Sequence, residues 1–120
     1  MKKYLDNFYF NLSLSITWIL FSLYLFFAKI NPSGFSSILL NDKLVHFIIF
    51  FIMTYLLLRT ISRSSLNYNF QSKIILFVLL LIFNFMIEYF QNLTSYRSFE
   101  LDDIFFNVLG IFLCYFVKIK

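Results

Sequence analysis

Three side chains with useful chemistry lie within the apolar segment 84–91, which reads NFMIEYFQ. Asn84, Glu88 and Gln91 are spaced as i, i+4 and i+7, so in an α-helix they share one face. A carboxyl group inside a membrane span is costly, and it is usually turned toward a partner or a cavity. Glu88 is therefore a candidate for ligand binding or proton transfer, and Gln91 is placed to hold a polar group beside it.

Two further segments carry polar side chains at comparable positions. Asp103 and Asn107 repeat the i, i+4 spacing in the segment DIFFNVLG, and Lys43 and His46 lie three residues apart in DKLVH, which also places them on one helix face. At ~1.5 Å of rise per residue, Glu88 and Asn107 would each lie ~6 Å below the ends of their helices. His46 lies at a similar level. Side chains at matching depth on separate helices can converge on one site.

The composition indicates the elements that must position these residues. The chain has 120 residues, of which 61% are hydrophobic, 23% are aromatic and only 13% are charged. A soluble domain of this length could not bury so much apolar surface. Most of the chain is therefore predicted to be surrounded by lipid, as one all-α membrane domain.

The numbers of cysteine and histidine residues and the distribution of basic residues exclude several other classes of protein. A single cysteine, Cys114, allows no internal disulfide and no CxxC metal site, and a single histidine, His46, allows no histidine-rich metal site. The net charge is +4, but the basic residues are scattered at the ends of apolar runs. No basic patch with interleaved aromatic residues appears, so we expect no nucleic-acid partner.

Four apolar windows approach the ~20 residues that a helix needs to cross a bilayer. Strands are disfavoured because these windows would be apolar on both faces, whereas a membrane-spanning strand alternates polar and apolar residues. The first window follows Lys2 and Lys3, as in a signal peptide, but it is long and no A-x-A cleavage site follows, so a retained anchor is expected. The predicted spans are 8–28, 44–61, 73–91 and 103–118, the last of them short.

The distribution of basic residues predicts the orientation of this four-helix bundle. Cytoplasmic segments of membrane proteins are enriched in Lys and Arg. Seven of the ten basic residues fall on the side that holds both termini and the connection 62–72, while Lys29, Lys43 and Arg97 fall on the other. Both termini are therefore expected in the cytoplasm, and the polar residues of the second, third and fourth spans are expected at the outer face of a bacterial inner membrane.

A purely structural interpretation stays open for each polar residue. Charged side chains at helix ends often extend into the headgroup region, as Asp42, Lys43, Glu100 and Asp102 would. Asp103 would complement the dipole of its helix. A lone histidine is more often structural, and asparagines between spans contribute only ~0.6 kcal/mol on average as interhelical contacts. Glu88, inside its span, fits this interpretation least well.

Residues 42–110 also contain three ordered motifs on three successive predicted spans. They are D-K-x-x-H-F, E-x-x-Q and R-x-x-E-x-x-D-I-x-x-N-x-x-G, beginning at Asp42, Glu88 and Arg97. This ordered set resembles the signature of the VanZ-like family of small bacterial membrane proteins, named for a member associated with teicoplanin resistance. In one departure, Cys114 stands where the family often has a second glycine. Because cysteine is also small, close helix packing can survive.

The resemblance and the charge pattern together predict a membrane protein that contributes to antibiotic tolerance. We expect its outward-facing polar residues to bind or handle an amphiphilic envelope molecule, such as a lipid, a lipid-linked wall precursor or a lipoglycopeptide like teicoplanin. Lys43 and Arg97 would meet an anionic headgroup, Arg97 in a bidentate manner. The candidate ligand-binding residues are Lys43, His46, Glu88, Gln91, Arg97, Asp103 and Asn107.

An intramembrane hydrolase or transferase is the alternative prediction. Glu88 and Asp103 would form its acid/base pair and His46 would assist proton transfer. No serine or cysteine nucleophile has an assignable base nearby. A metal ion held by these three side chains is chemically conceivable, but no metal and no cofactor are predicted. A proton-coupled transporter is disfavoured because four unbroken spans offer little pathway.

Overall fold

A computed structural model describes residue 3 and residues 6–27, 42–95 and 99–119 of the chain. Within these ranges every regular element is an α-helix, which confirms the predicted fold class. The helices α1, α2 and α3 contain 20, 21 and 24 residues, and α4 contains 14. They run over Phe8–Phe27 (α1), Asp42–Ser62 (α2), Phe70–Leu93 (α3) and Leu101–Cys114 (α4).

Three of these helices are long and apolar enough to cross a membrane: α1, α2 from Lys43 onward, and α3. Helix α4 ends at Cys114, four residues before the predicted end of the fourth span at residue 118. Beyond it, the amides of Phe116 and Val117 donate to carbonyls three residues back, which is the geometry of tight turns. The helical part of α4 rises only ~21 Å, less than the ~30 Å of a hydrocarbon core.

The outer surface of the bundle is apolar and its interior is unusually polar. Large hydrophobic side chains such as Leu20, Phe85 and Phe105 are 62%, 55% and 61% exposed. Among the described residues, buried polar side chains are as numerous as buried hydrophobic ones. In water such a surface would aggregate, but in lipid it is the stable arrangement, since polar groups find partners only inside the bundle.

Helix α2 lies at the centre of the bundle and packs against α4 and α1. Gly110 of α4 meets the backbone of α2 so closely that a Cβ there would lie 2.5 Å from the carbonyl oxygen of Phe47 and 3.2 Å from the amide nitrogen of Phe51. Only a residue without a side chain permits this approach. On the other side, the Trp18 indole of α1 donates to the Ile49 carbonyl at 3.1 Å.

Helix α3 begins three residues before the predicted start of its span, because a capping motif sets its first residue. Asn69 accepts a hydrogen bond from the Ser72 amide at 2.9 Å, and the Ser72 hydroxyl accepts one from the Asn69 amide at 3.2 Å. This reciprocal pair is a capping box, which satisfies amides that a helix start leaves without intrahelical partners. Hydropathy alone placed the start at the apolar run that follows.

Candidate functional site

Polar side chains from three helices meet at one end of the bundle. His46 lies on the second turn of α2, Glu88 near the end of α3, and Asp103 and Asn107 on the first two turns of α4. Glu88 and Asn107 have no exposed surface, and His46 and Asp103 are 1% and 4% exposed. We call these four residues and the equally buried Asn84 the buried polar cluster.

Helix geometry explains why the cluster forms at this end. Successive helices run in opposite directions, so the beginnings of α2 and α4 lie beside the end of α3. On α3, the spacing of Asn84 and Glu88 turns both toward α4, while Phe85 and Tyr89, the residues that directly follow them, are exposed. On α4, Asp103 and Asn107 are buried and Phe105 points outward. The i, i+4 pattern predicted from the sequence is therefore the buried face of each helix.

An ordered series of hydrogen bonds runs through the cluster. Asn84 Nδ2 donates to the carbonyl oxygen of Ile104 at 3.4 Å. Asn107 Nδ2 donates to Asn84 Oδ1 at 2.6 Å. Asn107 Oδ1 then lies 3.0 Å from His46 Nδ1. A backbone carbonyl can only accept, so the direction of the whole series follows from its first member.

This direction fixes a proton on the histidine ring. Because Asn107 presents its oxygen to His46, Nδ1 must carry the hydrogen that it donates. In the neutral ring Nε2 then holds the lone pair, and this atom lies 3.7 Å from Asp103 Oδ2. Hydrogen bonding at one ring nitrogen commonly sets the role of the other in proton transfer and metal binding.

Two carboxylates lie close to the imidazole, one nearest to each ring nitrogen. Glu88 Oε1 lies 3.9 Å from Nδ1, and Asp103 Oδ2 lies 3.7 Å from Nε2. One donor atom from each of these three side chains lies within 4.8 Å of the others. The ring also stacks on Phe26 of α1, with the ring centroids 4.9 Å apart. The imidazole and the two carboxyl groups can therefore share a proton or coordinate a small cation. The aromatic ring of Phe26 covers one side of this arrangement.

Lys43 and Gln91 lie around the cluster and have partners of their own. Lys43 Nζ lies 3.1 Å from Asp102 Oδ2, and both side chains are partly or largely exposed. Gln91 is buried, and its Nε2 donates to the Phe26 carbonyl at 2.9 Å. Lys43 thus occupies the solvent-facing or headgroup-facing side of the site, whereas Gln91 ties the end of α1 to α3.

Two positions named from the sequence lie outside this description. Arg97, expected to fold back over Glu88 or Asp103, is not among the described residues. For Asp42 only the helical backbone is described.

Asn84 is the cluster residue that sequence reasoning left out of the candidate ligand set. The sequence placed it on the polar face of α3 and favoured a role as an interhelical contact, and in the structure it is fully buried and holds Asn107 in orientation. Its position four residues before Glu88, on the same helix face, was the signal that could have included it.

Comparison with protein families now adds a direct observation. The family model described as VanZ/LLP1 matches residues 4–119, nearly the whole chain. The chain belongs to the VanZ/LLP1 family. Together with three helices of membrane-spanning length, this makes it a VanZ-like membrane protein. Searches of curated proteins and of solved structures find no significant match.

Proposed function

We propose that this VanZ-like protein binds or handles the polar part of an amphiphilic envelope molecule at the outer leaflet of a bacterial inner membrane. The supporting observation is the convergence of His46, Glu88, Asp103 and Asn107 at one end of a bundle whose outer surface is apolar. A lipid, a lipid-linked wall precursor and a lipoglycopeptide such as teicoplanin all combine an acyl chain with a polar headgroup. Such a molecule would keep its chain in lipid and bring its headgroup to this end.

The charges at this end fit a headgroup with anionic groups. Lys43 is about two-fifths exposed at the beginning of α2, one helical turn before His46. A phosphate or carboxylate could replace Asp102 as its partner at little cost, because ion pairs between exposed groups contribute weakly. Arg97, close in sequence to Asp103, is the second cation proposed to contact the ligand.

Burial limits which part of a ligand reaches the cluster. Its side chains have almost no accessible surface, so a whole sugar or peptide ring does not fit without movement of the helix ends. The proposed ligand therefore contacts the exposed Lys43 first, and the buried acids and amides interact with one small polar group or with a proton delivered to it.

A direct binding experiment tests this proposal. The purified protein in lipid nanodiscs is titrated with teicoplanin, and in parallel with a glycopeptide that lacks the acyl tail. Binding of teicoplanin that weakens in Lys43→Ala, and absent or much weaker binding of the tail-free compound, supports the proposal. Equal binding of both compounds, or binding unaffected by Lys43→Ala and Arg97→Ala, contradicts it. Teicoplanin tolerance of cells that express the same variants gives the matching phenotype.

A second candidate function is acid–base catalysis on a lipid headgroup. The observation that favours it is the imidazole of His46 held between two carboxylates, at 3.9 and 3.7 Å. One acid could protonate a leaving group while the other activates water, as paired carboxyl groups do in other enzymes. Incubation with a lipid-linked wall precursor, followed by mass spectrometry of the released headgroup, separates the two functions. Turnover that is lost in Glu88→Gln favours catalysis, and binding without turnover favours the first function.

A further inference from the structure

We propose that His46 Nε2, Glu88 and Asp103 form a binding site for one divalent transition-metal cation. This site does not depend on the proposed envelope ligand, and it departs from the expectation of a metal-free protein. In the sequence the three residues are 42 and 15 positions apart and belong to three helices, so only their matching depth suggested that they converge. In the folded bundle each offers a donor atom within 4.8 Å of the other two.

These separations are close to those of a shared cation. Zn²⁺ binds imidazole nitrogen and carboxylate oxygen at ~2.0–2.2 Å, so two ligands of a tetrahedral ion lie ~3.4 Å apart. The 3.7 Å between His46 Nε2 and Asp103 Oδ2 exceeds this distance by a few tenths of an ångström. The largest separation among the three residues is at most 4.8 Å, so binding requires these side chains to move closer together by about 1 Å.

The hydrogen-bond series prepares the histidine as a ligand. Metal-binding histidines usually donate the proton of the other ring nitrogen to an oxygen, which fixes the ring and its tautomer. Here Nδ1 donates to Asn107 Oδ1 at 3.0 Å, and Asn84 in turn holds Asn107 at 2.6 Å. The Nε2 lone pair is thereby directed toward the side of the ring on which Asp103 lies. Asn107, and not Glu88 or Asp103, sets this orientation of the His46 ring.

The chemistry of the donors narrows the choice of ion. Two carboxylates and a neutral imidazole have a formal charge of −2, which one divalent cation balances in a buried, low-dielectric position. Imidazole with carboxylates suits Zn²⁺, Mn²⁺, Fe²⁺ or Co²⁺, whereas Mg²⁺ and Ca²⁺ prefer oxygen ligands alone. The three residues leave coordination positions for water or for a ligand oxygen, as catalytic metal sites do.

The test is direct metal binding by the full chain, purified in detergent with an affinity tag that contains no histidines. After treatment with a chelator, the protein is titrated with Zn²⁺ and with Co²⁺, whose visible absorption reports its coordination. We expect one ion per chain, with Co²⁺ bands that Zn²⁺ abolishes. The adjacent acids Asp102 and Asp103 supply matched variants, because Asp102 pairs with Lys43 outside the cluster.

Asp103→Asn, Glu88→Gln and His46→Gln should each remove stoichiometric binding, whereas Asp102→Asn should leave it unchanged. Asn107→Leu, which keeps all three ligands but releases Nδ1, should weaken Zn²⁺ binding by about 10–100-fold. Thermal unfolding of each variant with and without Zn²⁺ shows whether it is folded, and wild-type protein should gain stability from the ion. Absence of stoichiometric binding to the wild-type protein, or equal loss in Asp102→Asn and Asp103→Asn, would overturn the site.

Discussion

Asn107 Oδ1 lies 3.0 Å from His46 Nδ1, and this contact joins the two helices that pack most closely in the bundle. Because Asn107 Nδ2 is engaged with Asn84, the amide can only accept from the histidine. One interhelical hydrogen bond thus sets the orientation of the one imidazole ring of the chain. The chemical behaviour of the cluster depends on this bond as much as on the two acids.

The state of the ring can be measured without ambiguity, because the chain contains one histidine. We expect ¹⁵N nuclear magnetic resonance of histidine-labelled, metal-free protein to show a protonated Nδ1. In Asn107→Leu the preference for this nitrogen should be lost, since its acceptor is gone. A wild-type spectrum with hydrogen on Nε2 alone would contradict the hydrogen-bond series.

Removal of the amide should also destabilise the fold. Asn107→Leu leaves the His46 Nδ1–H and Asn84 Oδ1 without the partner that each has now, and an unsatisfied buried polar group costs about 1–3 kcal/mol. We expect a loss of that order in the free energy of unfolding in detergent. Asn92→Leu, the same change at an exposed position of α3, is the control and should lie within about 0.5 kcal/mol of wild type. Equal effects of the two substitutions would mean that the buried amide contributes nothing specific.

The contact between α2 and α4 predicts a second effect on stability. In Gly110→Ala the new Cβ would lie 2.5 Å from the Phe47 carbonyl oxygen, and backbone atoms cannot move aside as a flexible side chain can. The helices must separate, which we expect to cost about 1–3 kcal/mol, as other overpacked sites do. Since α2 carries His46, metal binding or ligand binding should weaken as well.

The buried Cys114, four residues after Gly110 on α4, provides the control for this effect. Cys114→Ala keeps a small residue at the position and adds no volume, so we expect a smaller loss and an intact site. Unfolding midpoints of the two variants in one detergent give the comparison. A Gly110→Ala protein as stable as wild type would show that the helices are not in close contact.

The orientation of the bundle makes a prediction at the C-terminus. If the side with seven of the ten basic residues is cytoplasmic, green fluorescent protein fused after Lys120 should fluoresce. Alkaline phosphatase fused at the same position should be inactive, because it folds only outside the cytoplasm. Immunoblots of both fusions control for expression. The opposite pattern would place the buried polar cluster at the cytoplasmic face and exclude contact with an extracellular antibiotic.

The helices could be predicted from the sequence largely because lipid makes apolar length a strong signal. All four helices overlap the predicted spans, and the two boundaries that differ most, the start of α3 and the end of α4, differ for local reasons. The Asn69–Ser72 capping box starts α3 before its apolar run. At the other boundary, hydrogen bonds to carbonyls three residues back end α4 at Cys114 although the apolar run continues. Hydropathy does not report either effect.

The polar site was only partly predictable. Periodicity identified which faces of α3 and α4 are polar, and equal depth suggested that they meet. Neither periodicity nor depth predicts which groups form hydrogen bonds or ion pairs with each other. In the structure, Gln91 donates to the end of α1, and Lys43 pairs with Asp102. The role of Asn84 follows only from coordinates, because a hydrogen-bond direction depends on which atom faces which.

The final prediction concerns Glu88, which has no exposed surface and lies 3.9 Å from His46 Nδ1. Glu88→Gln keeps the size of the side chain and its capacity for hydrogen bonds, but removes its charge and its proton exchange. If Glu88 only joined helices, the variant would fold and function normally. We expect instead that it accumulates in the membrane at wild-type abundance and loses the function, because cation binding and proton transfer both need a carboxyl group. Asp102 is an exposed acid, and the corresponding variant Asp102→Asn should retain the function. Teicoplanin tolerance and membrane abundance, measured in the same cells, decide the outcome, and full tolerance in Glu88→Gln would leave Glu88 a structural residue.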